Sequence, residues 1–164
     1  KNKIKFENRK VDSKKVNNLV KIYELESEDK FLVGVEAINA YLWNEIRTKM
    51  AGYTPEAFLE NKKLQIISES DPRCKKTLET FEKIPEFLKN LTEEEMKTFK
   101  SFALNKLFDY NLKTHFYDIV TNFNRKKEIE IVKNTKIEDI HKFANLLKSA
   151  KTFHGIEGTN CFPQ

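Results

Sequence analysis

Glycine is what this sequence most plainly lacks. It holds four in 164 residues, with neither a GxGxxG nor a GxxxxGK[ST] run. Phosphate-cradling loops need glycine wherever the backbone approaches a phosphate closely, so nucleotide binding by the common loops is disfavoured. Cysteine is almost as scarce. Cys74 and Cys161 are the only two, and no CxxC pair exists, which argues against a structural zinc site. They are read as two free thiols, with a disulfide as the alternative in an oxidising compartment. The three histidines stand alone and HExxH is absent, so no spacing supports a metal site, and neither a metal nor a cofactor is expected. The Arg–His spacing of helical HEPN-type ribonucleases is missing as well. No apolar run approaches the roughly 20 residues that span a bilayer. No signal peptide is visible. The chain opens on Lys1 rather than Met; an intracellular location is favoured, with secretion left open by that missing Met.

What is present points to a folded domain. Thirteen Phe against one Trp suggests a Phe-packed helical interior. Thirty basic against 25 acidic residues give a net charge of +5. The density of Lys, Asn, Ile and Phe is that of an A/T-rich genome, so part of the lysine excess reflects codon composition. Charge is segregated near the start. Lys1 to Ile22 carries eight basic and two acidic residues, and Glu24, Glu26, Glu28 and Asp29 follow.

Helix-start signals recur. Thr54-Pro55-Glu56, Asp71-Pro72-Arg73, Ile84-Pro85-Glu86, Leu91-Thr92-Glu93 and Thr135-Lys136-Ile137-Glu138 each put a capping residue or a first-turn proline before an apolar stripe. Thr92 with Glu95 and Thr135 with Glu138 read as capping boxes, and Leu91/Met96 and Tyr53/Phe58 as hydrophobic staples. Phe31, Val35, Ile38, Leu42, Ile46 and Met50 recur at helical spacing, with Gly52 as the C-terminal cap. A helix from Thr54 is expected to run to about Ile67, and a later one carries Phe116, Ile119, Val120 and Phe123. Alternation predicts strands at Leu19–Leu25, Ile4–Phe6 and Glu128–Val132. Gly155 is expected to end the last helix, and the stretch from His154 to Gln164 reads as loop or tail. The expected fold is mainly α: a compact bundle of six or seven short amphipathic helices, with a small two- or three-stranded β element from the N-terminus and residues 128–132. Three segments are expected: a charged arm or strand pair at 1–28, a helical domain at 29–155 and a tail at 156–164.

Two constellations could carry chemistry. His154, Glu157, Asn160 and Cys161 place an imidazole, a carboxylate, an amide and a thiol in one stretch. A cysteine nucleophile needs a base and a group that orients it, so Cys161 and His154 are the catalytic candidates. Lys10, Lys14 and Lys15 near the N-terminus, with Arg125, Lys126, Lys127 and Lys133, are the binding candidates. With no catalytic motif, the expectation is a non-enzymatic helical module that docks a protein partner as a regulator, inhibitor or effector fragment. The alternatives are a nucleic-acid-binding protein using residues 1–21 and 125–136, and a thiol-dependent enzyme around Cys161. Oligomeric state stays open.

Overall fold

The computed structural model describes residues 17–26, 31–50, 53–109 and 111–158. Strand β1 (Asn17–Glu24) alternates buried and open positions along its length, as a strand covered on one face must. Helix α1 (Leu32–Leu42) follows and continues through Trp43–Thr48 as a wider π-type turn. Strands β2 (Thr54–Glu60) and β3 (Lys63–Asp71) form a hairpin. Six helices come next: α2 (Cys74–Glu82), α3 (Ile84–Lys89), α4 (Glu93–Phe108), α5 (Leu112–Thr121), α6 (Arg125–Asn134) and α7 (Ile137–Ser149). Strand β4 (Lys151–Glu157) closes the described chain. The strands make one antiparallel sheet in the order β2-β3-β1-β4.

The fold is therefore mixed α/β, not the helical bundle expected from the sequence. The helix expected from Thr54 to Ile67 is the β2–β3 hairpin. Its turn is Asn61-Lys62, with both residues at positive φ (50° and 58°), the geometry a two-residue hairpin turn requires. Thr-Pro suits a helix start and the head of an edge strand equally well, and here Pro55 sits on edge strand β2. The staple expected of Tyr53 and Phe58 is absent, since Tyr53 is largely exposed and packs its ring under Arg47. The strand expected at Glu128–Val132 is α6, whose N-cap Asn124 accepts the Lys127 amide. Neither Gly155 nor His154 ends a helix or lies in a tail; both belong to β4, and α7 ends at Ser149. The strand expected around Leu19–Leu25 does form, but it pairs with β3 and β4. Ile4–Phe6 and Gly52 lie outside the described residues.

Local capping sets several boundaries. Thr92 and Glu95 form the capping box of α4: the Glu95 amide donates to Thr92 Oγ1 (3.3 Å), and the Thr92 amide to Glu95 Oε2 (2.9 Å). The second expected box is displaced by one residue. Thr135 Oγ1 donates back to the Ile131 carbonyl, and the Lys136 amide donates to Asp139. Asp71 is fully buried and accepts from Ser68 Oγ, Thr77 Oγ1 and the Arg73 amide, each at 2.7 Å, which joins β3 to the start of α2.

The core lies between the sheet and the helices. Ile38, Leu42, Ile46, Leu64, Ile66, Phe81, Ile84, Leu88, Ile140 and Phe143 are fully buried there. Phe143 stacks on Phe31 with ring centroids 4.3 Å apart. A Cβ at Gly34 would come within 2.6 Å of the Phe143 ring, so this glycine is required by close approach. The outer edge of β2 is closed by α1: Asn39 donates to the Ala57 carbonyl and accepts its amide, which removes one exposed edge. Cys74 is buried and disulfide-bonded, contrary to the expected free thiols; the chain's other cysteine, Cys161, lies outside the described residues.

Candidate functional site

The alternation of β1 puts Asn17, Leu19, Lys21 and Tyr23 on the helix-covered side of the sheet. In β4, His154 pairs opposite Lys21 and Thr152 opposite Tyr23, so these residues share that side. Helix α2 delivers Glu82 at its last turn. Lys21 Nζ lies 2.6 Å from Glu82 Oε1, and His154 Nε2 lies 3.5 Å from the same oxygen. The lysine side chain is 3% exposed and the glutamate 58%. A buried ammonium is thus neutralised by a carboxylate that keeps much of its hydration, which limits the desolvation cost of the pair. Lys21 Nζ also sits 4.8 Å from the centre of the Tyr23 ring.

Tyr23 is 2% exposed, and its hydroxyl has no hydrogen-bond partner among the described residues. Burial, with the charge of Glu82, holds its phenol well above the ordinary range, so it stays protonated. Burial and the neighbouring Lys21 charge hold the His154 imidazole below its usual range, with Glu82 opposing them. A cavity of about 360 Å³ is lined by Lys21, Tyr23, Glu82, Pro85, Glu86 and Leu147, with Lys148 and Thr152 also on its wall. Sequence reasoning missed this cluster because its members lie far apart in the chain. The available signal was Lys21 itself, a charged residue on the inward side of an alternating strand, which demands a buried partner.

A second feature is α5, which buries none of its residues. Leu112, Phe116, Ile119 and Val120 fall on one helical stripe and are 65–84% exposed. Phe108 (58%) and Tyr117 (57%) extend the apolar surface. The helix is nonetheless held at both ends. Asn111 and Thr114 cap its start reciprocally (3.1 and 2.8 Å), and Asn122 ends it in the left-handed conformation. From its back, Asp118 takes a two-pronged contact from Arg125 (both 2.7 Å), and Arg125 also donates to the Leu107 carbonyl. The stripe expected to be core is therefore a fixed, open surface.

Of the residues singled out from sequence, His154 lies in the Lys21–Glu82 cluster, while Cys161, Lys10, Lys14 and Lys15 lie outside the described residues. Arg125, Lys126, Lys127 and Lys133 share α6. Arg125 is committed to Asp118, and Lys133 pairs with Glu130 at 3.1 Å. Among the described residues no three His, Cys, Asp or Glu side chains converge on a metal position. No described helix is long and apolar enough to cross a membrane.

A family model described as the PreP C-terminal domain matches residues 11–157. Protein HypA of Clostridium perfringens (strain 13 / Type A) is 28% identical over 122 residues, covering 66% of this chain and 12% of that protein; the chain thus spans a small part of its curated relative. Among solved structures, pitrilysin superposes with a TM-score of 0.65 at 10% identity, covering 90% of this chain and 19% of that one. The peptidase M16 inactive domain from Pseudomonas fluorescens gives 0.63 at 13% identity, covering 92% and 42%. An M16-like peptidase from Alicyclobacillus acidocaldarius gives 0.58 at 10%, covering 93% and 42%. These likenesses establish an M16-type α/β fold. They overturn the expectation of an all-α regulatory module and its nucleic-acid-binding alternative.

Proposed function

The chain belongs to the PreP C-terminal domain family, and on that premise we propose that it is a non-catalytic domain of an M16-type peptidase, joined through α5 to the rest of a longer polypeptide. The observation that carries this is the apolar stripe of α5, exposed yet pinned at both ends. A contiguous apolar face on an otherwise well-packed domain marks an interaction surface, and a helix already ordered loses little conformational entropy on docking. The size of the similar proteins argues for the occupant: the match spans 12% of the curated relative and 19–42% of the solved chains. Among the described residues, the titratable cluster is the Lys21–Glu82 ion pair with the His154 imidazole beside it, and no three His, Cys, Asp or Glu side chains converge on a metal position.

Two assays test this. The 164-residue chain alone should leave an unstructured fluorogenic peptide intact. In the longer protein, F116E/I119E should abolish or strongly reduce peptidase activity while the domain itself keeps its circular-dichroism spectrum. Hydrolysis by the chain alone would refute the first half of the proposal. Full activity of the double variant would refute the second.

A further inference from the structure

The sheet has two unlike sides. The helix-covered side carries Leu19, Tyr23, Leu64 and Ile66, all buried. Strand alternation turns Val20, Ile22, Phe58, Ile67 and Phe153 to the other side, where each is only half-buried. Together they make an apolar band across all four strands, and a contiguous apolar surface of this kind marks a docking face. Charge on that side is uneven. At one end Glu24 and Glu60 lie opposite Lys63 and Lys151 in the register, two carboxylates against two ammonium groups. At the other end are Glu56, Glu69 and Glu157, and among the described residues no lysine or arginine pairs with any of them. A cavity of about 280 Å³ opens at that acidic end, lined by Asn18, Val20, Ile67, Glu69, Gly155 and Glu157. The chain enters β1 at the same place. Asn18 donates to Glu157 Oε2 (3.1 Å) and accepts the Ser70 amide (3.0 Å).

We propose that the chain's own residues 1–16, which lie outside the described ones, dock on this side of the sheet. Lys10, Lys14 and Lys15 would meet Glu56, Glu69 and Glu157. Charge complementarity chooses this occupant. The segment holds seven basic residues (Lys1, Lys3, Lys5, Arg9, Lys10, Lys14 and Lys15) against Glu7 and Asp12, and it faces three carboxylates without a cationic partner. Position agrees, since the segment runs straight into Asn17 at the acidic end. Reach is sufficient. Strands lie about 4.8 Å apart, so Glu56 on β2 is about 10 Å across the sheet from β1, whereas the seven residues from Lys10 to Asn17 span up to about 23 Å when extended. Exposed ion pairs are individually weak, so charge selects and orients the segment. Ile4, Phe6 and Val11 supply apolar area for the band. The inference is independent of the role proposed for α5, which shares none of these residues.

The test is zero-length carbodiimide crosslinking, which joins a lysine directly to a touching carboxylate, on an equal mixture of ¹⁴N- and ¹⁵N-labelled 164-residue chains, read by mass spectrometry. The expected products are amides within single chains that join Lys10, Lys14 or Lys15 to Glu56, Glu69 or Glu157. Amides joining a ¹⁴N chain to a ¹⁵N chain would assign the face to a second copy and overturn the proposal. Products spread evenly onto Glu24 and Glu60 at the opposite end, or no product at the three carboxylates, would overturn it too. A charge swap separates docking from mere nearness. E69K/E157K changes two exposed positions and should keep the circular-dichroism spectrum. It should lower the Lys10–Glu56 product about fivefold, the effect expected of losing two exposed ion pairs. Adding K14E/K15E to that variant should restore the product. An unchanged Lys10–Glu56 yield in E69K/E157K, or no recovery in the swapped chain, would contradict the proposal.

Discussion

Helices α5 and α7 carry the same kind of apolar stripe and meet opposite fates. In α7, Ile140, Phe143, Ala144 and Leu147 are at most 2% exposed. In α5, Leu112, Phe116, Ile119 and Val120 are at least 65% exposed. Periodicity therefore specifies a helix and its apolar side, and says nothing about what covers that side. Most helices in proteins owe their stability to packing. Helix α7 fits that rule, whereas α5 is maintained by its ends and by the Asp118–Arg125 contact at its back.

That contrast can be broken from the α7 side first. Phe143→Ala removes a fully buried ring stacked on Phe31 and should cost about 3–5 kcal/mol in urea unfolding. A value near zero would mean α7 is not the packed member of the pair. Gly34→Ala attacks the same contact from α1. Its methyl would press on the Phe143 ring, and about 1–3 kcal/mol of overpacking cost is expected.

Smaller effects sharpen the α5 side. Arg125→Ala leaves Asp118, a carboxylate only 13% exposed, without its partner. Amide exchange should accelerate across residues 112–121 while α7 keeps its protection. Uniform acceleration would show that α5 is not a separately maintained element. Phe116→Ala should change the stability of the isolated chain by less than about 0.5 kcal/mol, the usual range for exposed positions. A loss comparable to that of Phe143→Ala would place α5 in the core after all.

Legibility in the sequence followed range. The α4 box of Thr92 and Glu95 was readable because its partners are three residues apart and nothing distant competes. Strand β1 was readable because its alternation is long. The β2–β3 hairpin was not, since Thr54-Pro55 satisfies both a helix start and an edge strand, and only the pairing Ala57↔Ile66 decides. The alternation of Glu128–Val132 also misled: Ile129 and Val132 are spaced for a helix as well, and the Asn124 cap with burial of Val132 settles the choice. Tertiary context overrides local preference at these points. Of the candidate site, His154 stands out in the sequence only through Cys161 seven residues on, and its contact with Glu82 is not legible there because helix α2 and strand β4 meet only in the fold.

The central claim is that the α5 stripe is open in this chain and covered in the longer protein. Hydroxyl-radical footprinting of Phe116, compared between the isolated chain and the longer polypeptide, measures this directly. The account predicts strong oxidation in the isolated chain and protection in the longer protein. Equal oxidation in both would contradict it.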